Sequence, residues 1–273
     1  MYLFFIMIVC AFVLAGCGGN DGDNNAGNDE NNKDIEQTGS LFDEIKEKGV
    51  LTVGTEGTYA PFTFHNDEDV LTGYDVEVIK EVAKRMDLEV EFMETQWDSM
   101  FAGLNAKRFD LIANQVGIND ERKANYDFSE PYTYSSAVLV VAKDNNDITS
   151  FEELKGRKAA QSLTSNYGAI AKENGAAIVG VEGLAQSIEL IKQGRAEATA
   201  NDKLAVLDYI KSQGDESIKI VAESDDVSAM AFTFNKGNDE LVAAINEQLA
   251  AMREDGTLTK LAEEWFGEDV SRQ

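Results

Sequence analysis

The chain has 273 residues, with 24 Lys and Arg against 50 Asp and Glu, a formal charge of −26. That balance excludes a nucleic-acid partner, because a phosphate backbone rewards clustered cations. Cys10 and Cys17 both lie in the first seventeen residues and His65 is the single histidine, so the rest of the chain carries no disulfide, no thiolate or His-based metal site and no cysteine nucleophile.

Residues 1–16, MYLFFIMIVCAFVLAG, form an apolar run ending in small residues, too short to span a bilayer comfortably, and read as a signal peptide. Leu14-Ala15-Gly16-Cys17 resembles a lipobox, which implies lipidation at Cys17 and a membrane anchor outside the cytoplasm. The departure is that no Lys or Arg precedes Cys17. Residues 17–40 continue as an Asn-, Asp- and Gly-rich tether that cannot bury enough surface to fold. Its random-coil reach is roughly 25–30 Å.

From Leu41 the chain alternates. LFDEIKEKG is a short helix capped by Ser40 and stopped by Gly49, and VLTVG is a buried strand. YDVEVIKEVAKRM places Val76, Ile79, Val82, Ala83 and Met86 at helical spacing. LEVEFME alternates like a strand, WDSMFAGLNAKR is an amphipathic helix, and DLIAN (110–114) is a second short strand. After AVLVVAK (137–143) the pattern resumes with helix AQSIELIKQG, strand EATAN, helix DKLAVLDYIKSQG and strands SIKIVA and SAMAFTF. Two helices close the chain. Repeated βα units predict an α/β protein whose sheets are largely parallel and covered by helices. Breaks in character at 132–143 and 224–230 predict two lobes, 41–134 plus 229–273 and 135–228, with the chain passing out and back.

Ligands of open α/β sheets bind beyond the carboxyl ends of the strands. Four segments follow strands: GTEGTYAPF, NQVGINDER, QSLTSNY and ANDK. Glu56, Tyr59 and Phe62 suit a loop that lines a cleft, and buried rings in a surface loop fit equally well. Asn114 and Gln115 offer donors and acceptors, and Gly117 permits a close backbone approach or positive φ. Arg122 can grip a carboxylate through two parallel bonds, although a solvated DERK helix start explains it too. Thr164, Ser165 and Asn166 open a helix whose N-terminus attracts anions, and ordinary capping would satisfy them. Asp202 is an N-cap or an ammonium ligand; Trp97 is a core anchor or an apolar platform. No P-loop, GxGxxG, HExxH or CxxC motif appears, so no cofactor and no metal are expected. The set suits an α-amino acid better than a reaction.

EGTYAPF, TGYDVEVIKEVAKRM, WDSMFAGLNAKRFDLIANQVGINDERKANYDFSEPY and LAEEWFG resemble the bacterial extracellular family 3 binding proteins, the solute receptors of polar amino-acid ABC importers. The likeness runs from Leu41 to Val270. NQV followed by DERK, with TSNY later, is similar to the cystine-binding subgroup. The resemblance implies the type II periplasmic-binding-protein fold, two α/β lobes on a two-strand hinge with the ligand closed between them. It further implies a monomer that delivers an amino acid, L-cystine best, to ABC permease subunits. Arg122 would take the α-carboxylate with backbone N–H groups near Ser165 and Asn166. Asp202 would take the α-amino group, with Gln115 and the Gly117 carbonyl nearby, while Tyr59, Phe62 and Trp97 wall the pocket and Glu56 sits at its rim. Gly117 and Thr164 depart from the family's frequent Ser or Thr and Gly, which leaves glutamine and arginine open as ligands. A dehydratase-like enzyme on the same fold is the other reading, with Glu56 its one candidate acid or base.

Overall fold

The computed structural model describes residues 39–273; the predicted leader, Cys17 and most of the tether lie outside the described residues. The first half runs α1 (Leu41–Lys48), β1 (Val50–Thr55), β2 (Thr58–Tyr59), β3 (Thr63–His65), β4 (Leu71–Thr72), α2 (Tyr74–Arg85), β5 (Glu89–Glu94), α3 (Trp97–Asn105), β6 (Leu111–Ile112), α4 (Asp120–Asn125), β7 (Tyr126–Phe128) and β8 (Thr133–Ala142). The second half runs β9 (Lys158–Gln161), α5 (Asn166–Glu173), β10 (Ala177–Gly180), α6 (Leu184–Lys192), β11 (Ala198–Asp202), α7 (Lys203–Gln213), β12 (Ile218–Met230), β13 (Thr233–Asn235), α8 (Asp239–Glu254) and α9 (Thr257–Phe266).

Local chemistry sets several boundaries. Ser40 and Asp43 form a reciprocal capping box on α1, and Gly49 ends that helix at φ 70, where a side chain would be strained. The apolar stripe of α2, with Val76, Val78, Ile79, Val82 and Ala83, is wholly buried. Among the described residues no helix is long and apolar enough to cross a membrane.

The strands form two five-stranded sheets, β5-β1-β6-β13-β7 and β10-β9-β11-β8-β12, and a small sheet β2-β3-β4. Each large sheet belongs to one lobe. The expectation of largely parallel sheets holds, with one strand in each sheet running against the other four. β5-β1-β6 and β10-β9-β11 are parallel, whereas β13 runs antiparallel to β6 and β7, and β8 antiparallel to β11 and β12. The parallel strands are joined by covering helices, while the strands near the crossings return without one. The expected strands SIKIVA and SAMAFTF divide differently: Ser228–Met230 continues the strand Ile218–Met230 along β8, and Thr233 and Phe234 belong to β13. Register shifts fall between Ile220 and Ala222 and between Glu223 and Val227. β8 and β12 stay paired from Thr133↔Met230 onward, so the two crossings lie side by side.

Candidate functional site

The cleft lies beyond the strand ends of both sheets. It is walled by Glu56, Tyr59, Trp97, Asn114 and Gln115 from the first lobe and by Gln161, Ser165, Asn166, Tyr167, Glu182 and Asn201 from the second. Three contacts cross it. The Tyr59 hydroxyl donates to Asn201 Oδ1 at 2.8 Å. Asp98 accepts from the N–H groups of Leu163 and Thr164 at 3.3 and 3.1 Å and from the Thr164 hydroxyl at 2.7 Å. Arg122 Nη2 donates to the Thr164 carbonyl at 3.3 Å.

Arg122 is the best-defined charge. Asn119 caps α4 by accepting the Arg122 N–H at 2.8 Å, which turns the side chain inward. The guanidinium lies over Trp97 and Phe101, 5.4 and 5.2 Å from their ring centroids, and Nη1 donates to the Gly117 carbonyl at 2.9 Å. It is 8% exposed and no carboxylate bonds it among the described residues, so the solvated-helix-start reading fails. Burial lowers its pKa to about 10, with Glu121 and Tyr167 opposing the shift. Arg122 borders a wider outer cavity that shares Ser162, Ser165 and Asn166 with the cleft.

Glu56 is held at both ends by Asn114, whose Oδ1 accepts the Glu56 N–H at 2.7 Å and whose Nδ2 donates to Glu56 Oε2 at 2.6 Å. Burial pushes the Glu56 carboxyl up to about 7 against that hydrogen bond. Gln115 N–H and Nε2 donate to Asp75 at 2.7 and 2.6 Å. Ser165 caps α5, its hydroxyl accepting from the Gly168 N–H at 2.9 Å and donating to the Ser162 carbonyl at 3.1 Å.

Several expected contacts are placed differently. Phe62 is fully buried behind Tyr59, packed on Phe266 at 5.7 Å between ring centroids, so it supports the wall rather than forming it. The Gly117 carbonyl is taken by Arg122, and within Asn114–Gly117 the positive φ falls at Gln115, at 49°. A methyl at Gly117 would lie 3.4 Å from Met230 Sδ and 3.5 Å from Asn166 Nδ2, ordinary contact distances. The Thr164 hydroxyl and N–H are engaged by Asp98. Asp202 is buried behind the wall, accepting from Ser135, Tyr167 and the N–H groups of Leu204 and Ala205, and burial raises its pKa. Its neighbour Asn201 reaches the cavity instead.

Asp75, Asp98 and Asn201 escaped the sequence reading. Asp75 and Asp98 stand in first helical turns, where an acid is ordinary. Asn201 sits in ANDK beside the more conspicuous acid.

Comparison with known proteins gives a consistent picture. The sequence model of the bacterial extracellular solute-binding proteins, family 3, matches residues 51–268. The chain is 56% identical to the L-cystine-binding protein TcyA of Bacillus subtilis (strain 168), over 99% of this chain and 98% of that one. It is 55% identical to the L-cystine solute receptor of Neisseria gonorrhoeae in its unliganded open conformation, covering 86% of this chain and 100% of that one, with a TM-score of 0.58. Against an ancestral arginine-binding protein bound to arginine, identity is 34%, with 80% of this chain and 99% of that one covered, and the TM-score is 0.76. The TM-score is higher against the arginine-bound protein than against the unliganded open receptor, although the identity is lower.

Proposed function

The chain belongs to the bacterial extracellular solute-binding proteins of family 3, and from that premise we propose that it is a receptor for a zwitterionic amino acid, L-cystine first. The observation that carries this reading is Arg122, a buried guanidinium with aromatic rings against it, carbonyls as its hydrogen-bond partners and no carboxylate. A buried cation of that kind gains most from an incoming carboxylate, which it can take through two parallel bonds. The N-terminus of α5 beside it, with Ser165 and Asn166, supplies further N–H groups and a favourable dipole. The carboxyl groups of Asp202, Glu56 and Asp75 all act on Tyr59 in the cleft wall, and their negative charge, where ionised, suits an ammonium group. The names of the two cystine-binding relatives favour cystine over other amino acids.

In this reading, 41–134 plus 229–273 and 135–228 are the two lobes, β8 and β12 supply the hinge, and closure delivers the loaded form to an ABC permease. Lipidation at Cys17 would hold the monomer outside the cytoplasm at the membrane. The protein binds without turning its ligand over. Calorimetry against the twenty amino acids and L-cystine tests the proposal. Micromolar-range binding of cystine with the ligand recovered unchanged is expected, and failure to bind any of them removes it.

A further inference from the structure

Asp75 is a buried acid that does not itself line the cleft. It stands in the first turn of α2, is fully buried, and among the described residues no Lys, Arg or His bonds it. Its oxygens accept from the Gln115 N–H at 2.7 Å, Gln115 Nε2 at 2.6 Å and the Tyr132 hydroxyl at 2.9 Å. Gln115 Nε2 also donates to Thr133 Oγ1 at 3.2 Å, so both amide hydrogens are used. The other end of that amide, Oε1, is buried and has no partner, on a side chain that lines the cleft. An orphaned buried acceptor is costly in a finished structure and points to a donor that arrives with something else.

We propose that Asp75 is a positioning residue of the cleft. By holding both N–H groups of Gln115, it leaves the Gln115 carbonyl oxygen as the acceptor offered to a ligand N–H. The inference rests on the amino-acid reading for the identity of that N–H. Because Tyr132 and Thr133 stand where β8 begins, the same carboxylate ties the cleft to the crossing strands. The polarity depends on Asp75 being ionised. A carboxyl that takes a proton from solvent becomes a donor on one oxygen and can no longer accept from all three groups. The Gln115 amide then turns over, with Oε1 toward Asp75 and Nε2 toward the cleft, and the site offers a donor where it had offered an acceptor.

Burial pushes the Asp75 carboxyl up to about 7, opposed by the bonds from Gln115 and Tyr132. The titratable groups facing it are Tyr132, the adjacent Tyr74, Tyr59 from the cleft wall and Asp202 from the second lobe. None supplies a positive charge, so the change falls near neutral pH.

The test is NMR on the ligand-free full chain between pH 5.5 and 8.5, following the Asp75 carboxyl carbon and the Gln115 side-chain amide. The expected result is a common midpoint, with the Gln115 response lost in Asp75→Asn. Calorimetry with L-cystine should show Asp75→Asn binding on the order of 10- to 100-fold more weakly, because an Asn amide presents a donor and forces the same turnover. A Gln115 amide that stays silent while Asp75 titrates overturns the proposal, as does wild-type affinity in Asp75→Asn. If that variant does not fold, the wild-type titration decides alone. If the titrations coincide but no amino acid binds, the ligand reading falls and the Asp75–Gln115 coupling stands.

Discussion

The Asp98 carboxylate, in the first turn of α3 in the first lobe, accepts the Thr164 hydroxyl of the second lobe at 2.7 Å and the two adjoining backbone N–H groups. These bonds join the two lobes, so they favour the lobe arrangement that makes them. Asp98 is exposed, and screening holds the set to about 1 kcal/mol. Asp98→Ala should therefore weaken ligand binding roughly fivefold, mainly through faster release. Stopped-flow dissociation rates check this, with Thr164→Val expected to show a smaller fraction of the effect.

Arg122→Ala should cost on the order of 2–5 kcal/mol of affinity, about 30-fold to several-thousand-fold, because a buried ligand carboxylate would lose its charged partner. Arg122→Lys should restore little, since an ammonium cannot present two parallel donors or stack on Trp97 and Phe101. Calorimetry on both variants measures the difference. Unchanged affinity in Arg122→Ala would make Arg122 a structural element of α4.

Asp202→Asn should weaken amino acids much more than their des-amino analogues. The Tyr167 hydroxyl in the cleft wall donates to the carboxylate at 2.8 Å, so an ammonium in the proposed site would feel that charge through a short, poorly screened path. An equal loss for both ligand classes would reduce Asp202 to the cap of α7.

Acidity should stabilise the ligand-free protein from pH 8 down to pH 5. Glu56 and Asp75 titrate near 7 when folded and near 4 when unfolded, so the folded form binds more protons between those values. Stability contributed by the two groups is present at low pH and is lost as pH rises through about 7. A melting temperature higher at pH 5 than at pH 8, with the gap narrowed in Glu56→Gln, is the expected calorimetric result. Carboxyls that folding makes more acidic, such as Asp255 at about 2, act below this window.

What the residues decided alone was the frame. Val76, Ile79, Val82 and Ala83 recur at helical spacing because one face of α2 must be buried, and the pattern shows that without any partner named. Ser40 and Gly49 bracket α1 by local backbone chemistry, which needs no tertiary information. The loops beyond the strand ends were legible as the cleft because sheet topology puts them there.

The roles within the cleft were decided only in three dimensions. Asp75 reaches Gln115 across forty positions of chain, and Asp98 reaches Thr164 across sixty-six. No periodicity in the sequence marks such pairs. An acid in a first helical turn looks the same whether its partner is water, its own helix or the far wall of the cleft. Phe62 and Asp202 were conspicuous by type, yet folding set both behind the surface, because a ring gains most from complete burial and a carboxylate with four donors is already satisfied. Sequence determined which elements form and where the cleft opens, since these follow from local propensity and burial pattern. Tertiary structure decided which groups are left without a partner there, since that depends on what every neighbouring atom has already bonded.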